Sequence, residues 1–577
     1  MSEKTNDCEV ALSSCQSYVD EMLSELINRA AVDRLWQRDP ALWKPDDAEC
    51  QASIINRLGW LSSPDLMHDR LSMITTWANH VRDAGFTHTV VLGMGGSSLC
   101  PEMWRQTFPR RAGWPELLVL DSTNPVSVAA VESRILLDTT LFFVSSKSGT
   151  TIESNALYHY FSHCLKARKG ARFGENFVAI TDSGTPLERI ANGQHFNKTF
   201  INPSNIGGRF SALSFFGLVP AAAMGIDIGK LLARGQSLQA RCRPETRPEK
   251  NPGLLLGALL AGLGRMGRDK ITFLLPPSLA AFGYWVEQLI AESTGKEGKG
   301  LLPVVGEPID LNRTYGPDRV LILFQLGEEP TAAIGPWLLA QERAGCPVAR
   351  IILKDLYDLG AEFFRWEFAT AVAGAALGIN PFDEPNVTES KDKTLQVLEA
   401  YRATGYLPRQ VPAVWEGQLS LSADSQLDGL QKAAAATNLA EYLDAHFRRG
   451  QPGDYAAIMA YVDQCKENEA SLQALRMAIS DRYGLAATLA YGPRFLHSTG
   501  QLHKGGAGNG LFLQITTDNP IDRNIPGEFF TFGVLKDAQA LGDYQALSAR
   551  GLRLVRVHVS GNIAEGLRTL AGKVNTL

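Results

Sequence analysis

Apolar and polar positions change period several times along the first part of the chain. Residues 14–45 carry Tyr18, Met22, Leu23, Leu26 and Ile27 at helical spacing, and Asp39-Pro40 is expected to end that stretch. A second helical pattern over about 66–84 stops before Gly85. The period then shortens. Thr87–Leu92 is a short β-branched run that passes directly into Gly93-Met-Gly-Gly-Ser-Ser98. Strand, glycine-rich turn and helix in that order predict the start of a βαβ unit. The same sequence of events recurs at 116–120, 140–144 and 176–180, each run ending in Ser, Thr, Asp or Gly. Continuous apolar strands of this kind suit a parallel sheet covered on both faces. Ligands in such sheets sit beyond the carboxyl ends of the strands.

A charged, proline-rich connector at 241–252 separates this series from a second one. The run 254–263 is too short and glycine-interrupted for a membrane span and predicts a buried helix. Strands are expected at 269–275, 319–324 and 348–353, and again at 511–515 and 552–558. Between them, 392–482 reads as helical with no strand signal and an Ala-rich run at 433–436. The expected fold is therefore α/β: a helical segment over 1–60, a first α/β domain over 61–240, and a second over 250–577 interrupted by a helical insertion at 392–482.

Composition narrows the class. The chain has 577 residues, 45% hydrophobic and 20% charged, which argues against disorder along its whole length. With 56 basic and 61 acidic residues the net charge is −5, so no global basic field for nucleic acid is expected. The N-terminal residues are polar and show no secretory apolar region. Eight cysteines are spread without a Cys-x-x-Cys pair, which points away from a zinc module or a disulfide framework and toward a reducing cytoplasm.

The polar strand endings carry the chemistry. Gly93–Ser98 matches neither a full dinucleotide fingerprint nor a lysine-bearing phosphate loop. It would serve either as a plain turn or as a close approach of backbone amides and Ser97 to an anion. Ser145–Thr151 packs five hydroxyls and Lys147 into seven residues ahead of a helix, a composition suited to a dianionic phosphate. Gly207-Gly208 permits close backbone approach beside Arg209. Gln288 and Glu292 are i and i+4 on one helix face, and that helix is expected to end at Gly295. A glutamate near a helix C-terminus tends to have a raised pKa, which suits a general base. His497 and His503 are two of only ten histidines and sit close to Gln501 and Lys504. Their i, i+6 spacing is poor for a metal pair, and no metal site is expected.

Taken together, Gly95-Gly96-Ser97, Ser146–Glu153, Gly207–Ser211, Glu292–Lys296 and Asn380–Pro385 occur in the order found in the phosphoglucose isomerases, and the chain resembles that family. The C-terminal third is most similar to the isomerase half of bacterial transaldolase–isomerase fusions. The resemblance implies two sugar-isomerase (SIS) domains, each a mainly parallel sheet wrapped by helices. It also implies reversible isomerisation of glucose 6-phosphate and fructose 6-phosphate through a cis-enediol, without a cofactor. Glu292 matches the base and Arg209 the cation facing the enediolate. Ser146, Lys147, Ser148, Thr150 and Thr151 match the phosphate loop, with Gly96, Ser97, Gly208 and Gln288 at substrate-contacting positions. Lys391 matches the lysine of Asn-Pro-Phe-Asp-Gln-Pro-x-Val-x-x-x-Lys in shorter bacterial members, which assists ring opening. Those members place a ring-opening histidine about twenty residues after the glutamate. Here that stretch is Asp310-Leu311-Asn312-Arg313, whereas Leu496-His497-Ser498-Thr499-Gly500-Gln501 carries the pattern. His497 is therefore expected in the cleft near Glu292 and Arg209, with His503 as the alternative. The partner implied is a small hexose phosphate, not nucleic acid or membrane. A homodimer, a broader range including mannose 6-phosphate, and a non-catalytic sugar-phosphate regulator stay open.

Overall fold

The computed structural model describes residues 8–327, 334–408, 410–433 and 438–575, with backbone alone at 432 and 433. Among the described residues the first element is strand β1 (Cys8–Ala11), and a helix follows at Gln16–Asn28. Val19, Met22 and Leu26 form the buried stripe of that helix, while Tyr18 and Ile27 face solvent.

Strands β2 (His88–Gly93), β3 (Glu116–Leu120), β4 (Thr140–Ser145), β5 (Phe177–Asp182) and β6 (Lys198–Asn202) form the first sheet. Its order is β3-β2-β4-β5-β6, with every pairing parallel. Successive side chains point to opposite faces. Val91, Phe143 and Val178 enter one core and Val90, Phe142 and Ala179 another. Burial on both faces is why these strands read as continuous apolar runs. The pairing of Gly93 with Ser145 sets the two polar loops after β2 and β4 side by side.

The second sheet contains β7 (Lys270–Leu274), β8 (Leu302–Val304), β9 (Arg319–Leu326) and β10 (Val348–Leu353). β1 joins its edge antiparallel to β10, giving the order β1-β10-β9-β7-β8. The N-terminal segment is thus not wholly helical. The helix Pro252–Arg265 buries Leu254, Leu256, Leu259, Leu260 and Leu263, as its apolar run predicts.

The third sheet corrects the expected organisation after residue 250. Strands β11 (Val414–Glu416), β12 (Leu419–Ala423), β13 (Tyr455–Tyr461), β14 (Ala486–Tyr491), β15 (Gly510–Thr517) and β16 (Arg553–Val559) pair in the order β11-β12-β16-β15-β13-β14. The late strands at 511–515 and 552–558 therefore do not return to the sheet of β7, β9 and β10. The segment 392–482 is not a helical insertion, because it contributes β11, β12 and β13. The physical reason for the difference is visible in β13. Its sequence, Tyr-Ala-Ala-Ile-Met-Ala-Tyr, lies between β14 and β15 with all seven residues buried. It therefore lacks a two-residue period, and its Ala and Met are good helix formers. In the Ala-rich run, positions 434–436 lie outside the described residues.

The α/β architecture with mainly parallel sheets is as expected. Among the described residues no two cysteines are joined in a disulfide. Among the described residues no helix is long and apolar enough to cross a membrane.

Candidate active site

Several loops meet around the carboxyl ends of β2 and β4. The first is the turn Gly95–Ser97, which feeds the helix Leu99–Thr107. Gly96 lies against the Gly208 carbonyl so closely that a Cβ there would collide with it. This contact, not the turn alone, demands glycine, and it brings Arg209 to the site. Ser145 Oγ donates to the Ser97 carbonyl at 3.2 Å, which ties the first loop to the second.

The second loop leads into the helix Ile152–Lys169. Its hydroxyls pair among themselves: Ser146 with Thr151 at 2.9 Å and Ser148 with Thr150 at 2.8 Å. Thr151 is the N-cap, yet its side chain does not cap the helix. Ser148, Thr150 and Thr151 line a pocket of about 170 Å³ whose walls also include Glu153, Lys391, His497 and Gln539. Lys147 departs from the expected arrangement. Its ammonium turns to the Asp182 carboxylate at the end of β5 and to the Ser204 carbonyl at 2.7 Å. It is not a wall of that pocket, and neither is Ser146, which is buried.

Glu292 and Gln288 lie on the helix Phe282–Thr294, which ends at Gly295 as expected. Gln288 Nε2 donates to Glu292 Oε2 at 3.0 Å and to the His497 carbonyl at 2.8 Å. One amide thus joins the carboxylate to the turn Arg494–His497. Arg209 is buried, and its guanidinium is spread over several partners. Nε donates to Ser293 Oγ at 2.7 Å, and Nη2 to the carbonyls of Pro381 and Asp383, both at 2.8 Å. Nη1 lies 3.1 Å from Glu384 and 3.4 Å from Glu292. Lys296 donates to the Asn380 carbonyl and to Asp383. Burial holds its pKa down at about 8, aided by the neighbouring Arg209.

Burial pushes the Glu292 pKa up; Arg209 pulls it back and Glu384 pushes it further up. Burial thus leads where the helix dipole was expected to act. A carboxyl whose pKa is raised by burial holds its proton more readily than an exposed one.

His497 Nε2 lies 2.9 Å from Glu153 Oε1, the carboxylate oxygen that also accepts from Gln539 Nε2 at 2.7 Å. Burial alone would raise the Glu153 pKa, but His497 outweighs it and the carboxyl is held low. Lys391 lies on the helix Val387–Thr404, exposed, across the same pocket. His503 is elsewhere. It packs among Tyr455, Phe495 and Phe512, both of its ring nitrogens are buried without a partner, and burial lowers its pKa to about 3. It cannot exchange protons with a ligand in the pocket.

The site thus gathers Gly96, Ser97, Gly208, Arg209, Gln288, Glu292 and His497 around one set of contacts, with Ser148, Thr150, Thr151 and Lys391 on the adjoining pocket. The sequence reading missed Glu153, Gln539 and Glu384. Glu153 sits inside the phosphate-loop motif, where its first-turn position suggests only favourable helix-dipole placement. Gln539 comes from the distant helix Phe532–Ala549, where nothing in the sequence singles it out. Among the described residues no group of three His, Cys, Asp or Glu side chains is arranged to hold a metal ion.

Residues 70–300 match the family model for phosphoglucose isomerase. The chain is 28% identical over 396 residues to a glucose-6-phosphate isomerase from Carboxydothermus hydrogenoformans, covering 59% of this chain and 85% of that one. It is 28% identical over 387 residues to one from Leptospira interrogans, covering 59% and 86%. Among solved structures it is similar to a glucose-6-phosphate isomerase from Chlamydia trachomatis, with a TM-score of 0.56 and 20% identity over 67% of this chain and 86% of that chain. That last likeness bears on the fold.

Proposed function

Since the chain belongs to the phosphoglucose isomerase family, we propose that it interconverts glucose 6-phosphate and fructose 6-phosphate at this site. The observation that carries the reading is the Gln288 amide, which donates at once to the Glu292 carboxylate and to the backbone of His497. It supports this reading because it joins the Glu292 carboxyl to the turn that bears the His497 imidazole.

The phosphate of the substrate lodges against Ser148, Thr150 and Thr151, at the positive end of the helix Ile152–Lys169. Anchoring this remote group holds C1 and C2 at the reacting side chains. His497 and Lys391 then open the ring, one supplying a proton to O5 and the other accepting the O1 proton. Glu153 holds the imidazole in place through Nε2. Glu292 removes the proton from C2, giving a cis-enediolate with its charge on O1; a proton passes from O2 to O1, and Glu292 returns its own proton to C1, which leaves the ketone at C2. The negative charge that develops on the enediol oxygens faces Arg209, whose bonds hold it in place before reaction.

The test is a coupled assay in which fructose 6-phosphate is supplied and glucose 6-phosphate is read by its oxidation, with Glu292→Gln as control. Turnover by the wild type is expected, with a loss of about a thousandfold in the variant, inside the range for general acid–base catalysis. The variant is expected to retain sugar-phosphate binding by calorimetry. Wild-type-like turnover in Glu292→Gln would remove Glu292 from the role of base.

A further inference from the structure

The loop after the helix Leu359–Leu377 holds a charged residue that the reaction above does not use. The pattern that Lys391 matches reads Asn-Pro-Phe-Asp-Gln-Pro, whereas this chain has Glu384 in place of the Gln. Two cations, Arg209 and Lys296, therefore meet three carboxyl groups, those of Glu292, Asp383 and Glu384.

Every nitrogen of the Arg209 guanidinium is engaged. Nε and Nη2 are committed to Ser293 and to two backbone carbonyls, so Nη1 alone faces acidic side chains. It hydrogen-bonds to Glu384 Oε2 at 3.1 Å, while Glu292 Oε1 stands off at 3.4 Å. Among the described residues the hydrogen-bond donor to Glu292 is the neutral amide of Gln288. We propose that Glu384 is a positioning residue that occupies Nη1 of Arg209 and so leaves the Glu292 carboxyl free to gain and lose its proton, an inference that rests on the isomerase reading of the site.

The physical case is a competition for one guanidinium. A carboxylate bonded directly to arginine is stabilised as the anion and is a poor proton acceptor. Glu384 takes the closer contact, and its side chain opens to solvent, being 41% exposed against 9% for Glu292. The anion that water can help solvate is thus the one paired with Arg209. Glu292 keeps the dry position. The charged and polar groups around it are Arg209 from the turn Gly208–Phe210, Glu384 from the proline-flanked loop, Lys296 beyond its own helix, and Gln288 one turn earlier. The His497 carbonyl accepts from the same Gln288 amide, while its ring is held by Glu153. Burial and Glu384 push the Glu292 pKa up against the pull of Arg209. Glu384 itself is held low by Arg209.

The test is the pH dependence of kcat/KM for Glu384→Gln and Glu384→Asp. It is run beside an infrared titration of the substrate-free protein, with the Glu292 carboxyl band assigned by its loss in Glu292→Gln. In Glu384→Gln, Nη1 is released to Glu292, and both the acid limb and the infrared midpoint move down by about 1 pH unit. Glu384→Asp, with its charge one methylene short, lies between that variant and the wild type. Wild-type midpoints in both folded variants would overturn the proposal, whatever their turnover, because a merely structural Glu384 would lower activity without moving a titration. If the infrared midpoint moves but the wild type shows no isomerase activity, the isomerase reading fails and the coupling of Glu384 to Glu292 stands.

Discussion

The imidazole of His497 and the carboxylate of Glu153, 344 residues apart in sequence, meet at 2.9 Å on the wall of one pocket. Glu153 comes from the first turn of the helix after β4, and His497 from the turn after β14. The first and third sheets therefore each supply half of the pair. A carboxylate on Nε2 fixes the orientation of the ring, which leaves Nδ1 for exchange with a ligand.

Glu153→Gln keeps the shape and removes the charge. Turnover is expected to fall by about a hundredfold, at the low end of a general acid–base contribution, with KM for the sugar phosphate little changed. Steady-state kinetics on variant protein with an unaltered circular dichroism spectrum checks this. A KM effect alone would place Glu153 in binding instead.

His503→Phe separates the two histidines. Its folded pKa of about 3 lies below the ordinary value near 6.5, because burial disfavours the charged ring. The unfolded chain therefore binds the extra proton first, and this residue costs stability as pH falls from about 6.5 toward 3. The Phe variant is expected to resist acid unfolding better than the wild type over that window, as read by thermal melts at pH 4 and pH 7. Turnover at neutral pH is expected to stay at the wild-type level.

Gly96→Ala tests the contact that brings Arg209 to the site. The added methyl meets the Gly208 carbonyl, which belongs to backbone and cannot swing away. Urea unfolding is expected to show a loss of about 1–3 kcal/mol, the usual cost of overpacking. Activity should fall further than stability, since Gly208 and Arg209 must shift together.

Glu367→Gln addresses a carboxyl in the core. Glu367 is 1% exposed, its Oε1 has no hydrogen-bond partner, and burial holds its pKa well above the usual carboxylate range. A raised folded pKa means that its contribution is fully present below the unfolded value and is lost as pH rises. The Gln variant is expected to melt a few degrees higher than the wild type at pH 8 and at the same temperature near pH 4. Equal midpoints at both would show that Glu367 is ionised and paired in the fold.

Local features of the site were legible along the chain because they depend on short spacings. The i, i+4 relation of Gln288 and Glu292 survives folding as one helix face. The polar endings of the first-series strands lie where a parallel sheet presents its ligands. The third sheet was hidden in part because β13 is buried on both sides and built of Ala, Ile, Met and Tyr, so no alternation marks it. Lys147 looked like a phosphate ligand by composition, yet its ammonium goes to Asp182, a partner 35 residues away.

The sequence by itself determined the order of strands, glycine-rich turns and helices in the first α/β unit, and the chemistry set at their ends. Periodicity governs backbone conformation and side-chain face, and both are local. Tertiary structure decided which histidine serves the pocket, that Glu153 and Gln539 complete it, and that Glu384 shares Arg209 with Glu292. These are contacts between buried polar groups from distant segments. Each is required because a charge removed from water must find a partner, but nothing in the spacing along the chain says which partner it will be.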